Sequence, residues 1–76
     1  MGKIANVSAR EAVKAFGRAG FQVVTQTGSH IKMRRMSLGR VQTIIVPDHK
    51  RLKTGTLVKG ILRPIGMTTK EFLDLL

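Results

Sequence analysis

The segment Gly28-Ser29-His30-Ile31-Lys32-Met33-Arg34-Arg35 places a histidine at the head of a basic, alternating run. Imidazole takes and returns protons near neutrality, with an unperturbed pKa of about 6.5. Lys32, Arg34 and Arg35 are side chains that grip phosphate. Cleavage of RNA through its 2′-hydroxyl requires a proton removed from that hydroxyl, a proton given to the leaving oxygen, and charge stabilised at phosphate. His30 offers the proton-transfer group and its neighbours the stabilising charge, although one histidine fills the acid and base roles incompletely.

A second group follows Pro47: Asp48, His49, Lys50, Arg51 and Lys53. Lys50, Arg51 and Lys53 precede a predicted helix, whose free amides and positive dipole end favour phosphate. Their other reading is a solvated loop that keeps a small protein in solution. His49 is either a complementary acid or base, if this loop folds back near the second strand, or an ordinary polar residue ahead of a helix. His30, Asp48 and His49 are types that bind metals, but their spacing matches no metal motif, so no metal site is assigned. No glycine-rich nucleotide loop, serine triad or carboxylate pair is present, and no cofactor is expected.

These groups must be carried by a few short elements. Ser8-Ala9-Arg10-Glu11 is a capping box that starts a helix from about Ala9 to Ala19, with Ala12, Val13, Phe16 and Ala19 on one face. Arg10, Lys14 and Arg18 repeat on another face and read as solvated. Gly20 ends the helix as a left-handed cap. A strand follows over Phe21–Thr27, with Gly28-Ser29 as a hairpin turn. In the next strand, a period of two sends Ile31 and Met33 to one face and His30, Lys32 and Arg34 to the other.

Met36-Ser37-Leu38-Gly39 reads as a loop, and Arg40 to Val46 as a third strand whose Ile44-Ile45-Val46 end suggests burial on both faces. Thr54 is a candidate cap for a second helix carrying Leu57, Val58, Ile61 and Leu62, closed by Pro64 and Gly66. Thr68-Thr69-Lys70-Glu71 is a second capping box and starts a short terminal helix. Strands joined by short loops pair as an antiparallel meander with helices on one face. The fold class is therefore α+β, as a single domain over residues 1–76.

At 76 residues the chain has room for only a small core. Its 14 Lys and Arg against 4 Asp and Glu give a net charge of +10, which draws it to nucleic acid, an anionic membrane or an acidic protein. Membrane is the poorest fit, because the longest apolar run, Ile44-Ile45-Val46, is far short of the roughly 20 residues that span a bilayer. The start lacks the apolar core of a signal peptide, and Asn6 stands where a myristoylation signal needs Ser or Thr, so a cytoplasmic location is expected. Absence of cysteine removes disulfides and thiolate chemistry. Phe16, Phe21 and Phe72 take apparent core positions, so recognition of RNA rests on shape and backbone rather than on stacking.

Taken in order, Gly28-Ser29-His30, Val46-Pro47-x-His49, Leu52-Lys53-x-Gly55-Thr56-Leu57 and Ile61-Leu62 resemble the HicA (YcfA-like) toxins of toxin–antitoxin pairs. With the first-helix pattern from Ala12 to Gly20 and Phe21, the resemblance covers nearly the whole chain. It implies a double-stranded-RNA-binding-domain-like fold, metal-independent cleavage of messenger RNA, and neutralisation by a HicB antitoxin that covers the active surface. His30 matches the family's catalytic histidine. Gly28 matches the turn before it, and Gly55 and Thr56 the start of the second helix; His49 lies in a matching motif to which no role is carried over. Met33 stands where many relatives have an aromatic residue, and the stretch from Arg35 to Gly39 has its own sequence, departures that bear on substrate preference.

The expected site is thus His30 for proton transfer, with Lys32, Arg34, Arg35, Lys50, Arg51 and Lys53 binding RNA. The alternative is a non-catalytic RNA-binding module in which His30 is one contact among several. A third reading is an interaction domain whose basic face docks an acidic partner.

Overall fold

The computed structural model describes residues 4–76. Its elements are α1 (Ala9–Arg18), β1 (Gln22–Thr27), β2 (His30–Ser37), β3 (Arg40–Pro47), a π-helical segment π1 (Thr56–Leu62) that passes into a 3-10 turn (Arg63–Ile65), and α2 (Thr69–Leu75). This is the expected α-β-β-β-α order with its short terminal helix.

Both capping boxes form. The Ser8 hydroxyl accepts the Glu11 N–H at 3.1 Å, and Glu11 Oε1 accepts the Ser8 N–H at 3.0 Å. Thr68 and Glu71 repeat the arrangement at 3.1 and 2.8 Å. Each pair satisfies amides that a first helical turn leaves without partners. The backbone hydrogen bond, followed by the hydroxyl, holds each glutamate's carboxyl below its ordinary range. At its other end α1 closes on Gly20, whose φ of 99° suits glycine. The Phe21 N–H then donates back to the Phe16 carbonyl at 2.9 Å and the Gly20 N–H to Gly17 at 3.1 Å. That pattern is the Schellman motif, and its usual apolar contact is the edge-on pair Phe16–Phe21, with centroids 5.7 Å apart.

The strands form an antiparallel sheet in the order β1-β2-β3. Period-two alternation holds along β2: Ile31 and Met33 are buried under the helices, while His30 and Arg34 are exposed on the other face and Lys32 is half-buried there. Two expectations need correction. The loop over Met36–Gly39 shrinks to a turn of Leu38 and Gly39, because the ladder continues to Ser37 opposite Arg40. Both turn residues take positive φ, 51° and 75°, the conformation whose twist suits a two-residue hairpin. The apolar end of β3 is not buried on both sides: Ile44 and Val46 are inside, but Ile45 is 42% exposed, since the helices cover one face only.

Thr54 does not cap the second helix. Its hydroxyl donates to the Ile4 carbonyl at 3.0 Å, and π1 begins with no side-chain cap. The wide turns of π1 bring Leu57, Ile61 and Leu62 to one side, and all three are buried. They join Phe16, Phe72, Met33 and Val46 in a single apolar cluster between the helices and the sheet. Phe16 bridges the layers, its ring lying 5.2 Å from that of Phe72.

Arg35 points into this side of the sheet. Its guanidinium lies 4.6 Å from the Phe21 ring centroid, donates to the Ala19 carbonyl at 2.9 Å and to Gln42 Oε1 at 2.8 Å. It therefore fastens the end of α1 to β3 while covering an aromatic face.

Replacing Arg35 by Ala is expected to cost about 1–3 kcal/mol in urea unfolding, the range for hydrogen bonds to charged groups. Arg34→Ala, on the open face, stays within about 0.5 kcal/mol. The lowered carboxyls of Glu11 and Glu71 set an acid dependence. Their stabilisation is complete above the unfolded value of 4.5 and is lost as pH falls through the lower folded values. Melting temperature measured against pH should fall in that acid window, and Glu11→Gln with Glu71→Gln should flatten the fall.

Candidate functional site

His30 opens β2, opposite Thr27 on one side and Pro47 on the other. Gly28 makes the reversal before it with a φ of 57°. The Ser29 carbonyl, at the tip of this turn, accepts the Asp48 N–H at 2.7 Å. Gln26 adds a side-chain bond from Nε2 to Asp48 Oδ2 at 3.1 Å. The stretch after β3 therefore folds back against the turn that presents His30, the condition under which His49 could belong to the same site.

That stretch is also tied to the start of α1. The Ala9 N–H donates to the His49 carbonyl at 3.0 Å, and the Leu52 N–H to the Val7 carbonyl at 2.7 Å. Leu52 is buried and anchors the segment, while His49, Lys50, Arg51 and Lys53 remain exposed around it. The backbone around His30 and His49 is thus held at one corner, where the β1–β2 turn, the end of β3 and the beginning of α1 meet, with His30 on the open sheet face and His49 lining a cleft beside Arg10.

Lys32 and Arg34 extend from this corner along the open face of the sheet, on the same side as His30. Arg34 donates through Nε to Thr43 Oγ1 at 3.4 Å. The structure does not bring Arg35 to this group: one residue further along β2, it lies on the helix side with its donors engaged. Expected among the RNA-binding cations, Arg35 is instead put by the period of two in β2 on the face of Ile31 and Met33, where it bonds Gln42 and the Ala19 carbonyl.

The corner also gains a residue. Arg10 lines a cleft with Ser8, Asp48, His49 and Lys50. The helical row Arg10, Lys14 and Arg18 had suggested a solvated face; the bond from Ala9 to His49, across forty residues of chain, leaves no local pattern that would have moved Arg10 to the site. Arg18 is different again, with Nη1 donating to the Leu75 carbonyl and joining α1 to α2.

Chemically, the corner offers two imidazoles and several permanent cations, and the Asp48 carboxylate already accepts a hydrogen bond. Such an arrangement can bind phosphodiesters and move protons. Among the described residues no three His, Asp or Glu side chains form a group suited to a metal ion. No described helix is long and apolar enough to cross a membrane.

A family model described as the HicA toxin of bacterial toxin–antitoxin systems matches residues 9–67, from the first residue of α1 to just beyond the 3-10 turn. No curated protein and no solved structure matches the chain. The family match takes in more than half of the sequence, including the whole sheet and the His30 corner, and its members act with an antitoxin as partner: the chain belongs to the HicA toxin family.

Proposed function

We propose that this toxin is an endoribonuclease that cleaves messenger RNA at the His30 corner, without a metal ion or cofactor, as one folded unit over residues 1–76 acting in the cytoplasm. The observation that carries the reading is the exposure of His30 at a turn clamped to the His49 loop, with Lys32 and Arg34 on the same face. Lys50, Arg51 and Lys53 complete the phosphate-binding set from the clamped loop. Arg35 is left out of the proposed set, because its donors already bond Gln42 and the Ala19 carbonyl.

In the proposed reaction His30 accepts the proton of a 2′-hydroxyl. The 2′-oxygen attacks the adjacent phosphorus, the bond to the 5′-oxygen breaks, that oxygen takes a proton from water as it leaves, and His30 returns its own proton to the resulting hydroxide. The products are a strand ending in a 2′,3′-cyclic phosphate and a strand beginning with a 5′-hydroxyl. Lys32, Arg34 and the loop cations offset the charge that grows on the phosphoryl oxygens. A single well-placed imidazole makes the reaction slow relative to a site with two, because each positioned acid or base contributes roughly 100-fold or more. A HicB-like antitoxin is the proposed partner. The open sheet face suits it, since exposed Val41 and Ile45 lie beside Lys32 and Arg34 with no acidic residue on the strands.

Purified wild-type protein and a folded His30→Ala variant, incubated with labelled messenger RNA in EDTA, test the reading. Fragments from wild type alone, with RNA binding retained by the variant, are expected, at a loss of roughly 100-fold or more in rate. Equal cleavage by both removes His30 from the chemistry. Binding without cleavage by either makes the chain a non-catalytic RNA-binding module.

A further inference from the structure

The corner opens, on its helix side, into a trough. Its near end is the cleft of about 370 Å³ lined by Ser8, Arg10, Asp48, His49 and Lys50. Its far end is a concavity of about 510 Å³ lined by Arg10, Val13, Lys14, Gln26, Ile31 and Asp48. Arg10 and Asp48 line both, so the two adjoin at these side chains, between α1 and the edge strand β1.

The charges of this trough are unbalanced. Arg10, Lys14 and Lys50 are exposed and make no salt bridge or side-chain hydrogen bond among the described residues. Asp48 is the one carboxylate in the lining, and Gln26 already donates to it. Glu11, next to Arg10 in sequence, is turned into the cap at Ser8. Arg10 and Lys14, one helical turn apart, set their side chains about 5–6 Å from each other, a step suited to successive phosphates of one strand. Half-buried Val13 and buried Ile31 add aliphatic surface to the lining, and its amide and carboxylate side chains, Gln26 and Asp48, are bonded to each other.

We propose that this trough is the track for the sugar–phosphate backbone of single-stranded RNA next to the cleaved bond, with Arg10, Lys14 and Lys50 as phosphate contacts. The inference rests on the ribonuclease reading; Asp48, which lines the trough, is bonded through its N–H to the Ser29 carbonyl, next to His30. It assigns recognition carried by the backbone charge, because the proposed contacts are cations. It also gives the helix row a task that Arg18, committed to Leu75, does not share.

The test is binding of a fluorescein-labelled 12-nucleotide oligouridylate to His30→Ala protein, measured over a series of salt concentrations. The same series is run with Arg10→Gln/Lys14→Gln added, and with Lys59→Gln/Arg63→Gln as a second variant of equal net charge. Loss of two phosphate contacts is expected to weaken binding at low salt and to lower the slope of log K against log salt by about 1.4, at about 0.7 per contact on a single strand. The Lys59/Arg63 variant should keep the parental slope. In proteins that retain His30, Arg10→Gln/Lys14→Gln should raise KM with kcat little changed. Equal loss in the two charge variants overturns the trough while leaving the ribonuclease reading intact, and so does tighter binding of a 12-base-pair duplex than of the single strand. Absence of RNA binding by every protein overturns both.

Discussion

One backbone hydrogen bond organises the functional end of this molecule: the Asp48 N–H to the Ser29 carbonyl, at 2.7 Å. It joins the turn that presents His30 to the stretch that carries His49 and the loop cations. Such a bond contributes only about 1 kcal/mol net to stability. Its consequence is geometric, because the Ala9 bond to His49 and the Leu52 bond to Val7 continue the seam along the start of α1. Three segments remote in sequence are thereby held as one corner, and the burial of Leu52 anchors the loop without covering its charges.

The rest of the fold leaves that corner accessible. All helices lie on one side of the sheet, where Phe16 packs against both Phe21 and Phe72. The opposite face is left to polar, cationic and partly exposed aliphatic side chains. Arg35 shows how closely the two sides divide the basic residues. A shift of one position along β2 changes a cation from a candidate phosphate ligand into a fastener between α1 and β3. With 14 basic and 4 acidic residues the chain has cations for both duties: Lys32 and Arg34 share the face of His30, while Arg10, Lys14 and Lys50 line the trough beside α1.

Much of this was legible in the sequence because it is local. Ser8-x-x-Glu11 and Thr68-x-x-Glu71 name helix starts, Gly20 and Gly66 name helix ends, and the alternation of β2 places His30 with Lys32 and Arg34. The misreadings share a cause, which is that tertiary partners override local signals. Thr54 has the side chain of a cap but spends its hydroxyl on Ile4. Ile45 sits in an apolar run yet faces outward, because no layer covers that side. The grouping of Arg10 with His49 depends on the Ala9–His49 contact between residues forty positions apart, and no periodicity records it. Motif order carried the family assignment further than any single residue, and the family match over residues 9–67 agrees with it.

The proposed reaction is transesterification at a phosphodiester presented to His30. Its most direct test is an RNA oligonucleotide carrying one 2′-deoxy substitution at a mapped cleavage position. The substituted bond is expected to survive while neighbouring sites are still cut, because the nucleophile is the 2′-oxygen itself. Undiminished cleavage at the deoxy position would contradict it and require a water nucleophile.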